Sequence, residues 1–320
     1  MGTGIKLTES ARELLRCPIC KSNLVLTDCQ FKCMNVRCKA HFPIVDGIPI
    51  LINESSSLFS IDEFVNHSST FFRPSSRILR FVGNLLPAVS CNAKAKTNYE
   101  KLAELLLKEN ENPRVLVVGG SIVGRGMQRI LSVPFIECIE SDVSFGPRTA
   151  IICDAHDIPF DSSSLDGVIV QAVLEHVVDP YRCVEEIHRV LKEEGLVYAE
   201  TPFMQQVHGG KYDFSRFTHL GHRRLFRKFE EISSGAVAGP GTALAWSYQY
   251  FLLSFVKSKA GRAFVEGIVR LTSFWLKYFD YYIIDKPTTL DAASAYYFMG
   301  RKSNRVLSDR ELVELYRGAV

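Results

Sequence analysis

Residues 114–127 read RVLVVGGSIVGRGM: an apolar run, Val115 to Val118, empties into Gly119, Gly120, Gly124 and Gly126. A buried strand that ends in glycines is the place where an open parallel α/β sheet meets a ligand. The spacing excludes the two commonest ligands. It is not the G-x-G-x-x-G of a dinucleotide loop. Against G-x-x-x-x-G-K-[ST], Gly119 and Gly124 fit, but Arg125 and Gly126 stand where a phosphate loop needs lysine and a hydroxyl. What the loop holds must be read from its surroundings.

Strand and helix patterns alternate on both sides of it. Apolar runs predict strands over 114–118, 136–140, 150–153, 166–170 and 195–200, with helices near 124–132 and 179–191. Thr97-x-x-Glu100 reads as a capping box opening a helix through Leu107. The alternation predicts a parallel sheet covered by helices on both faces.

The run CIESDVSFGPRTAIICDAHDIPFDSSSLDGVIVQAVLEHVVDPYRCVEEIHRVLKEEGLVYAETP, residues 138–202, resembles the class I S-adenosylmethionine (SAM) methyltransferases of the small-molecule and lipid-quinone type. The likeness extends over about 114–202. It implies a Rossmann-like sheet and SAM as cofactor, with Gly119, Gly120 and Ser121 forming the loop. Asp142, followed by Val143, takes the place of the acid that binds both ribose hydroxyls. Asp154 takes that of the acid near the adenine amine, with Ala155 and His156 supplying backbone beside it. Gln171 falls in the turn beside the methionine part. The chain departs from the pattern at Val117, where the family usually has an acid that helps receive the methionine ammonium. Asp142 and Asp154 could each also serve as simple caps of a strand or turn. Glu175 and His176 read as structural as much as catalytic.

Toward the N-terminus, Cys17-x2-Cys20 and Cys33-x4-Cys38 form two paired-cysteine knuckles. Four thiolates so spaced complete a tetrahedral shell suited to structural Zn²⁺, with no position left open for chemistry. Cys29 reads as a bystander. Asp46-Gly47 marks a hairpin turn between apolar runs. The stretch LLRCPICKSNL…FKCMNVRCKAHFPIVDGIPIL resembles the small zinc-ribbon family that activates methyltransferases for translation components, over about residues 13–53. The expected division is a zinc ribbon over 1–53, a linker with short helices (59–72 and 78–86) over 54–96, a SAM-binding core over 97–240 and a helical extension with a late strand over 241–320.

If the acceptor is a protonated oxygen or nitrogen, a base is required. It should follow the fifth strand, in ETPFMQQVHGGKYDFSRFTHLGHRRLFRKF, residues 200–229. His208, Tyr212, Asp213, His219 and His222 are the candidates, and Arg216 and Arg223 could hold an anionic acceptor. The alternative is a solvated basic loop with a satisfied Asp–Arg pair.

Residues 242–257 and 263–284 read as apolar helices. In the second, Glu266, Arg270, Ser273, Lys277 and Asp280 recur every three or four residues as one polar stripe, which no membrane span would carry through its centre. The broad apolar face is expected to pack on the body or on a second copy in a homodimer, the alternative being a membrane-surface or lipid-acceptor role. SAYYFMGRK, Ser294–Lys302, reads as a late strand, and Ser308-x-x-Glu311 caps a last helix.

Hydrophobic residues make up 47% of the 320 and charged residues 23%, a composition that can bury a real core. Net charge is +3, low for a generic nucleic-acid binder. Residues 1–53 carry seven Lys/Arg and four Asp/Glu and so account for that whole excess. The N-terminus lacks a signal core and the cysteines pair as a metal site, which together predict a reduced, cytoplasmic setting. The leading expectation is therefore a SAM-dependent methyltransferase acting on a small-molecule, glycan or lipid-linked acceptor. A ribosomal or transfer RNA methyltransferase, using the basic ribbon for RNA contact, and a non-catalytic scaffold are the alternatives.

Overall fold

The computed structural model describes residues 5–68 and 86–319. Its strands are hydrogen-bonded in the order β1-β2-β3-β4-β7-β6-β5-β8-β9-β11-β10. The centre is β5 (Arg114–Val118), β6 (Glu137–Asp142), β7 (Ile151–Cys153), β8 (Leu165–Gln171) and β9 (Leu191–Pro202), all parallel. Val115 to Val118 and Val168 to Val170 are buried, as strands covered on both faces must be. α3 (Ala95–Glu109) and α5 (Pro180–Val190) lie among the covering elements. α5 starts on a proline at its first turn, with Asp179 accepting from the Arg182 N–H at 3.1 Å.

At one edge the cysteine-rich segment continues the sheet. α1 (Glu9–Glu13) precedes β1 (Leu24–Thr27), β2 (Gln30–Cys33), β3 (His41–Val45) and β4 (Ile48–Leu51), an antiparallel meander. β4 then pairs in parallel with β7, Ile50 opposite Ile152 and Leu51 opposite Cys153. Leu15, Phe31 and Phe42 share one buried cluster with Ile151, Ile158 and Phe160 of the main body. At the other edge the late strand β11 (Ala295–Lys302) runs antiparallel between β9 and β10 (Phe229–Ala238). Both chain ends thus build the same sheet as the centre.

Several local expectations need correction. α3 begins at Ala95 rather than at a Thr97 cap, and the Thr97 hydroxyl instead donates to the Lys94 carbonyl at 3.0 Å. The helix expected at 124–132 shrinks to α4 (Gln128–Leu131), because Gly126, at φ +82°, itself sits in the left-handed region and interrupts the helical path. Of the helix expected over 59–72, only α2 (Ile61–Val65) forms among the described residues, and most of 78–86 lies outside them.

The 263–284 helix is two: α8 (Lys259–Ser273) and α9 (Leu276–Ile283), which with α7 (Pro240–Leu253) make up the C-terminal helices. At the break Thr272 and Ser273 turn their hydroxyls back onto the Ile268 and Val269 carbonyls. The inward face is also mixed rather than purely apolar. Ser273 and Asp280 of the polar stripe are buried, and Asp280 accepts from the Gly241 and Thr242 N–H groups at 2.8 and 3.0 Å. Those orphan donors at the start of α7 need a buried acceptor, so Ser273 and Asp280 join Val265, Val269 and Leu276 on the inward face while other large apolar side chains of α8 and α9 stay exposed. The remaining helices are α6 (His219–Leu225), α10 (Pro287–Ala292) and α11 (Asp309–Glu314), the last capped by Ser308 and Glu311 as expected.

Candidate functional site

The glycine loop folds over the carboxyl ends of β5, β6 and β8. Gly119 sits at φ +74°, and a Cβ there would lie 2.4 Å from the Val173 side chain. A Cβ on Gly124 would lie 1.7 Å from Gln171 Oε1. The glycines are therefore needed for close approach to the β8 turn. The Ser121 N–H donates to Asp142 Oδ2 at 3.1 Å. Asp142 ends β6, and burial raises its carboxyl above the usual range while the Ser121 contact opposes the shift.

Two cavities meet at this loop. The larger, about 420 Å³, runs from Gly119, Ser121 and Asp142 past Gln171, Glu175 and Glu200 to His208 and Trp246. The smaller, about 70 Å³, is walled by Phe59, Asp154, Ala155, His156 and Tyr212. Gly119, Asp142, Val143, Val173 and His176 line both. The expected cofactor residues Gly119, Ser121, Asp142, Val143, Asp154, Ala155, His156 and Gln171 therefore all reach one or other cavity. Gly120 instead packs against Glu140, with its N–H donating to the Ser141 carbonyl at 2.9 Å.

Asp154 is held firmly. Its Oδ1 accepts from the His156 N–H at 3.0 Å and lies 2.6 Å from His156 Nδ1, and Ser57 Oγ donates to Oδ2 at 2.6 Å. The Asp179 N–H donates to His156 Nε2 at 3.0 Å, so the ring proton sits on Nδ1, facing the carboxylate. Burial works against ionisation of Asp154, but the His156 and Ser57 contacts outweigh it and hold the carboxyl below its usual range. Ser57 belongs to the stretch read as a plain linker. Its neighbour Asn53 is also engaged, donating to Asp157 at 3.1 Å. Nothing periodic in NESSS signals this.

The second group that sequence reading passed over is Glu200, at the end of β9. Its carboxylate accepts from Tyr198 Oη at 2.5 Å and from Gln171 Nε2 and Asn92 Nδ2, each at 2.8 Å. Burial raises its carboxyl, with those three donors opposing the shift. Glu200 stands on the cavity wall beside Gln171, under the loop whose family acid is missing at Val117.

Of the five proton-acceptor candidates, only His208 lines the larger cavity. Its neighbour is Glu175, fully buried and with neither carboxylate oxygen hydrogen-bonded among the described residues. His208 Nε2 and His176 Nε2 lie 3.6 and 3.7 Å from Glu175 Oε1. The adjacent carboxylate raises the His208 pKa above the ordinary histidine value, against the effect of burial. The same three side chains, with ligating atoms within 4.8 Å of one another, could also seat a divalent cation.

The other four have structural places. Asp213 pairs with Arg216 at 2.5 and 3.1 Å and accepts from the His208 and Gly209 N–H groups, so it shapes the loop. Tyr212 packs on Phe59 in the wall of the smaller cavity, ring centroids 5.6 Å apart. His219 and His222 are corrections. Both lie on α6, buried away from the cavity: His219 Nε2 is 3.2 Å from Ser234 Oγ, and His222 packs edge-on against Phe226. Burial lowers their pKa values to about 4 and about 3, so neither takes a proton near neutral pH. Arg223 is likewise buried, bound to the Phe226 and Phe229 carbonyls rather than facing an acceptor. Sequence spacing placed these groups on one segment but could not show that a helix carries half of it under the sheet.

In the N-terminal module Cys17, Cys20, Cys33 and Cys38 bring their sulfurs within 4.8 Å of one another, with Cys17–Cys38 at 3.8 Å and Cys20–Cys33 at 3.4 Å. A tetrahedron of thiolates about 2.3 Å from zinc has edges of about 3.8 Å, so the four residues fit that ion. Cys29 is exposed and outside the cluster.

Residues 131–199 match the methyltransferase domain family. The N-terminal module matches UPF0434 proteins. That of Nitrosococcus oceani is 33% identical over 51 residues, which is 16% of this chain and 86% of the relative. That of Azotobacter vinelandii is 39% identical over 54 residues, 16% of this chain and 84% of the relative. The chain joins a UPF0434-type module to a methyltransferase domain. Solved structures similar to this methyltransferase include Haemonchus contortus phosphoethanolamine N-methyltransferase 2 with S-adenosylmethionine. There the identity is 15%, over 64% of this chain and 53% of that one, at a TM-score of 0.39. A Haloferax volcanii complex of a methyltransferase activator with a methyltransferase gives 18% identity over 68% of this chain and 99% of that one, at 0.37. Among the described residues no helix is long and apolar enough to cross a membrane.

Proposed function

We propose that this methyltransferase holds SAM across the two joined cavities and methylates an acceptor beside His208. When bound, SAM supplies a methyl group on a sulfonium, an electrophile that needs positioning more than activation. Asp142 offers acceptor oxygens to the ribose hydroxyls. Asp154 has one oxygen filled by His156 and the other, among the described residues, bonded to Ser57 alone, so one lone pair remains for the adenine amine. Glu200 takes over the anionic role of the acid absent at Val117, stabilising the methionine ammonium. His208, backed by Glu175, receives the acceptor proton. The observation that carries this reading is the pairing of His208 with a buried, hydrogen-bond-free carboxylate on the wall of the larger cavity. The Cys17, Cys20, Cys33 and Cys38 cluster holds one structural zinc.

The wall chemistry bears on the acceptor. Among the described residues, Asp142, Glu175 and Glu200 face the larger cavity against Arg125 as the one Lys or Arg. Such a wall repels RNA phosphates and favours a neutral or cationic acceptor group. A small molecule, a glycan or the head of a lipid-linked precursor meets that condition.

The test combines His208→Asn and Glu175→Gln with two measurements: SAM binding by calorimetry, and transfer of labelled methyl from SAM into the small-molecule and lipid fractions of a cell extract. Normal SAM affinity with transfer about a hundred-fold slower is expected, the scale of a lost proton acceptor. Wild-type transfer in both variants would remove the proton role. A wild-type protein that fails to bind SAM would leave the scaffold reading.

A further inference from the structure

The C-terminal helices turn the wrong side outward for a protein surrounded only by water. On α7 and the turn after it, Leu244, Tyr248, Phe251 and Phe255 are spaced four, three and four residues apart. Along α8 and α9, Phe264, Ile268, Leu271, Trp275, Tyr278 and Tyr282 continue the same period. Each series is one face of a helix. All ten side chains are exposed, from 37% at Tyr248 to 88% at Tyr282, while Ala245, Leu253, Val269, Ser273 and Asp280 face the interior. Monomeric proteins in water rarely leave so much large apolar surface open.

The charges beside these stripes identify the partner. From Pro240 to Val265 the sequence contains no Asp or Glu, and its three cations, Lys257, Lys259 and Arg262, are exposed between Phe255 and Phe264. A second copy seated symmetrically on this tip would bring two sets of three cations together. A bilayer bearing anionic lipid complements both features: acyl chains take the Phe and Leu side chains, and head groups take the cations. Trp275, Tyr278 and Tyr282 are the residue types that settle at a membrane–water boundary.

We infer that α7, α8 and α9 dock the methyltransferase onto a membrane surface containing anionic lipid. The helices lie on the bilayer rather than cross it. Thr242 and Trp246 of α7 also line the larger cavity, so docking sets that cavity beside the head groups, where an amphiphilic acceptor would be presented. The link to the acceptor rests on the functional reading above; the docking itself does not.

The experiment is flotation of the full chain with vesicles of phosphatidylcholine alone or mixed with phosphatidylglycerol, in low and high salt. Binding to the mixed vesicles should exceed binding to the neutral ones by roughly a hundred-fold, the scale of three cations at an anionic surface, and should weaken with salt. A Phe255→Ser, Phe264→Ser double variant should lose vesicle binding with unchanged melting temperature, both side chains being mostly exposed. A Lys257→Glu, Lys259→Glu, Arg262→Glu variant should lose the preference for anionic lipid. SAM binding, measured on the same variants, should be unaffected, so a failure of the catalytic reading is seen separately. Sedimentation without lipid completes the test. A dimer that the double phenylalanine variant disperses, together with no vesicle binding, would overturn the inference in favour of a second copy. A wild-type monomer that ignores both kinds of vesicle would also overturn it.

Discussion

Replacing His222 with methionine should flatten the acid limb of the stability curve. His219 and His222 are buried and resist protonation, with pKa values lowered to about 4 and about 3. In the unfolded chain the same imidazoles titrate near about 6.5. The unfolded state therefore binds protons first as pH falls. Their contribution to stability is complete above about pH 6.5 and is lost progressively down to the folded values. At about pH 5 each histidine costs about 2 kcal/mol relative to about pH 8, and the pair about 4 kcal/mol. That figure barely depends on the folded values, because both lie below the pH of measurement. Methionine fills a similar volume, and His222 Nε2 has no hydrogen-bond partner to lose, so the cost at neutral pH should stay under about 1.5 kcal/mol. Urea unfolding of wild type and variant at both pH values gives the comparison. The variant should lose about 2 kcal/mol less than wild type between them. An identical loss in the two proteins would refute the argument. Methyl transfer should survive the substitution, since His222 lies outside both cavities.

Asp142→Ala should weaken SAM binding roughly ten- to a hundred-fold by calorimetry, the loss of one or two hydrogen bonds to a charged acceptor, without lowering the melting temperature sharply. Gly124→Ala should weaken it too, because the added Cβ meets Gln171 Oε1 at 1.7 Å and forces the loop or the Gln171–Glu200 contact to move. Cys20→Ser should remove zinc from an otherwise near-equimolar protein by metal analysis, and Cys29→Ser should keep it; full retention after the first change would break the ligand assignment.

The parallel strands could be read because apolar runs ending in glycine or acid have few other meanings, and the four cysteines because thiolate spacing is tightly constrained. What could not be read depended on three dimensions. Glu200 looks like one more acid after a strand, and only its three donors and its burial mark it. Ser57 sits in a stretch with the composition of a linker, yet its hydroxyl completes Asp154. The polar stripe of α8 and α9 was legible as a stripe. Its direction was not, because the needs of the α7 N-terminus are settled by a contact about forty residues distant in sequence. His219 and His222 show the converse failure: proximity along the chain to His208 says nothing about which side of a helix faces the site.

The pairing of β4 with β7 also sets a timetable for synthesis. Ile50 emerges from the ribosome 102 residues ahead of its partner Ile152. At the usual pace of translation that gap lasts roughly 5–20 s. Through that interval Ile48, Ile50 and Leu51 belong to an uncovered edge, the kind of strand that recruits strangers. Metal captured at Cys17, Cys20, Cys33 and Cys38 can organise the first meander while the chain is still growing, so that the edge waits as a rigid template instead of a sticky coil. Zinc shortage during translation would then appear first as insoluble nascent protein, before any defect in the finished enzyme could be measured.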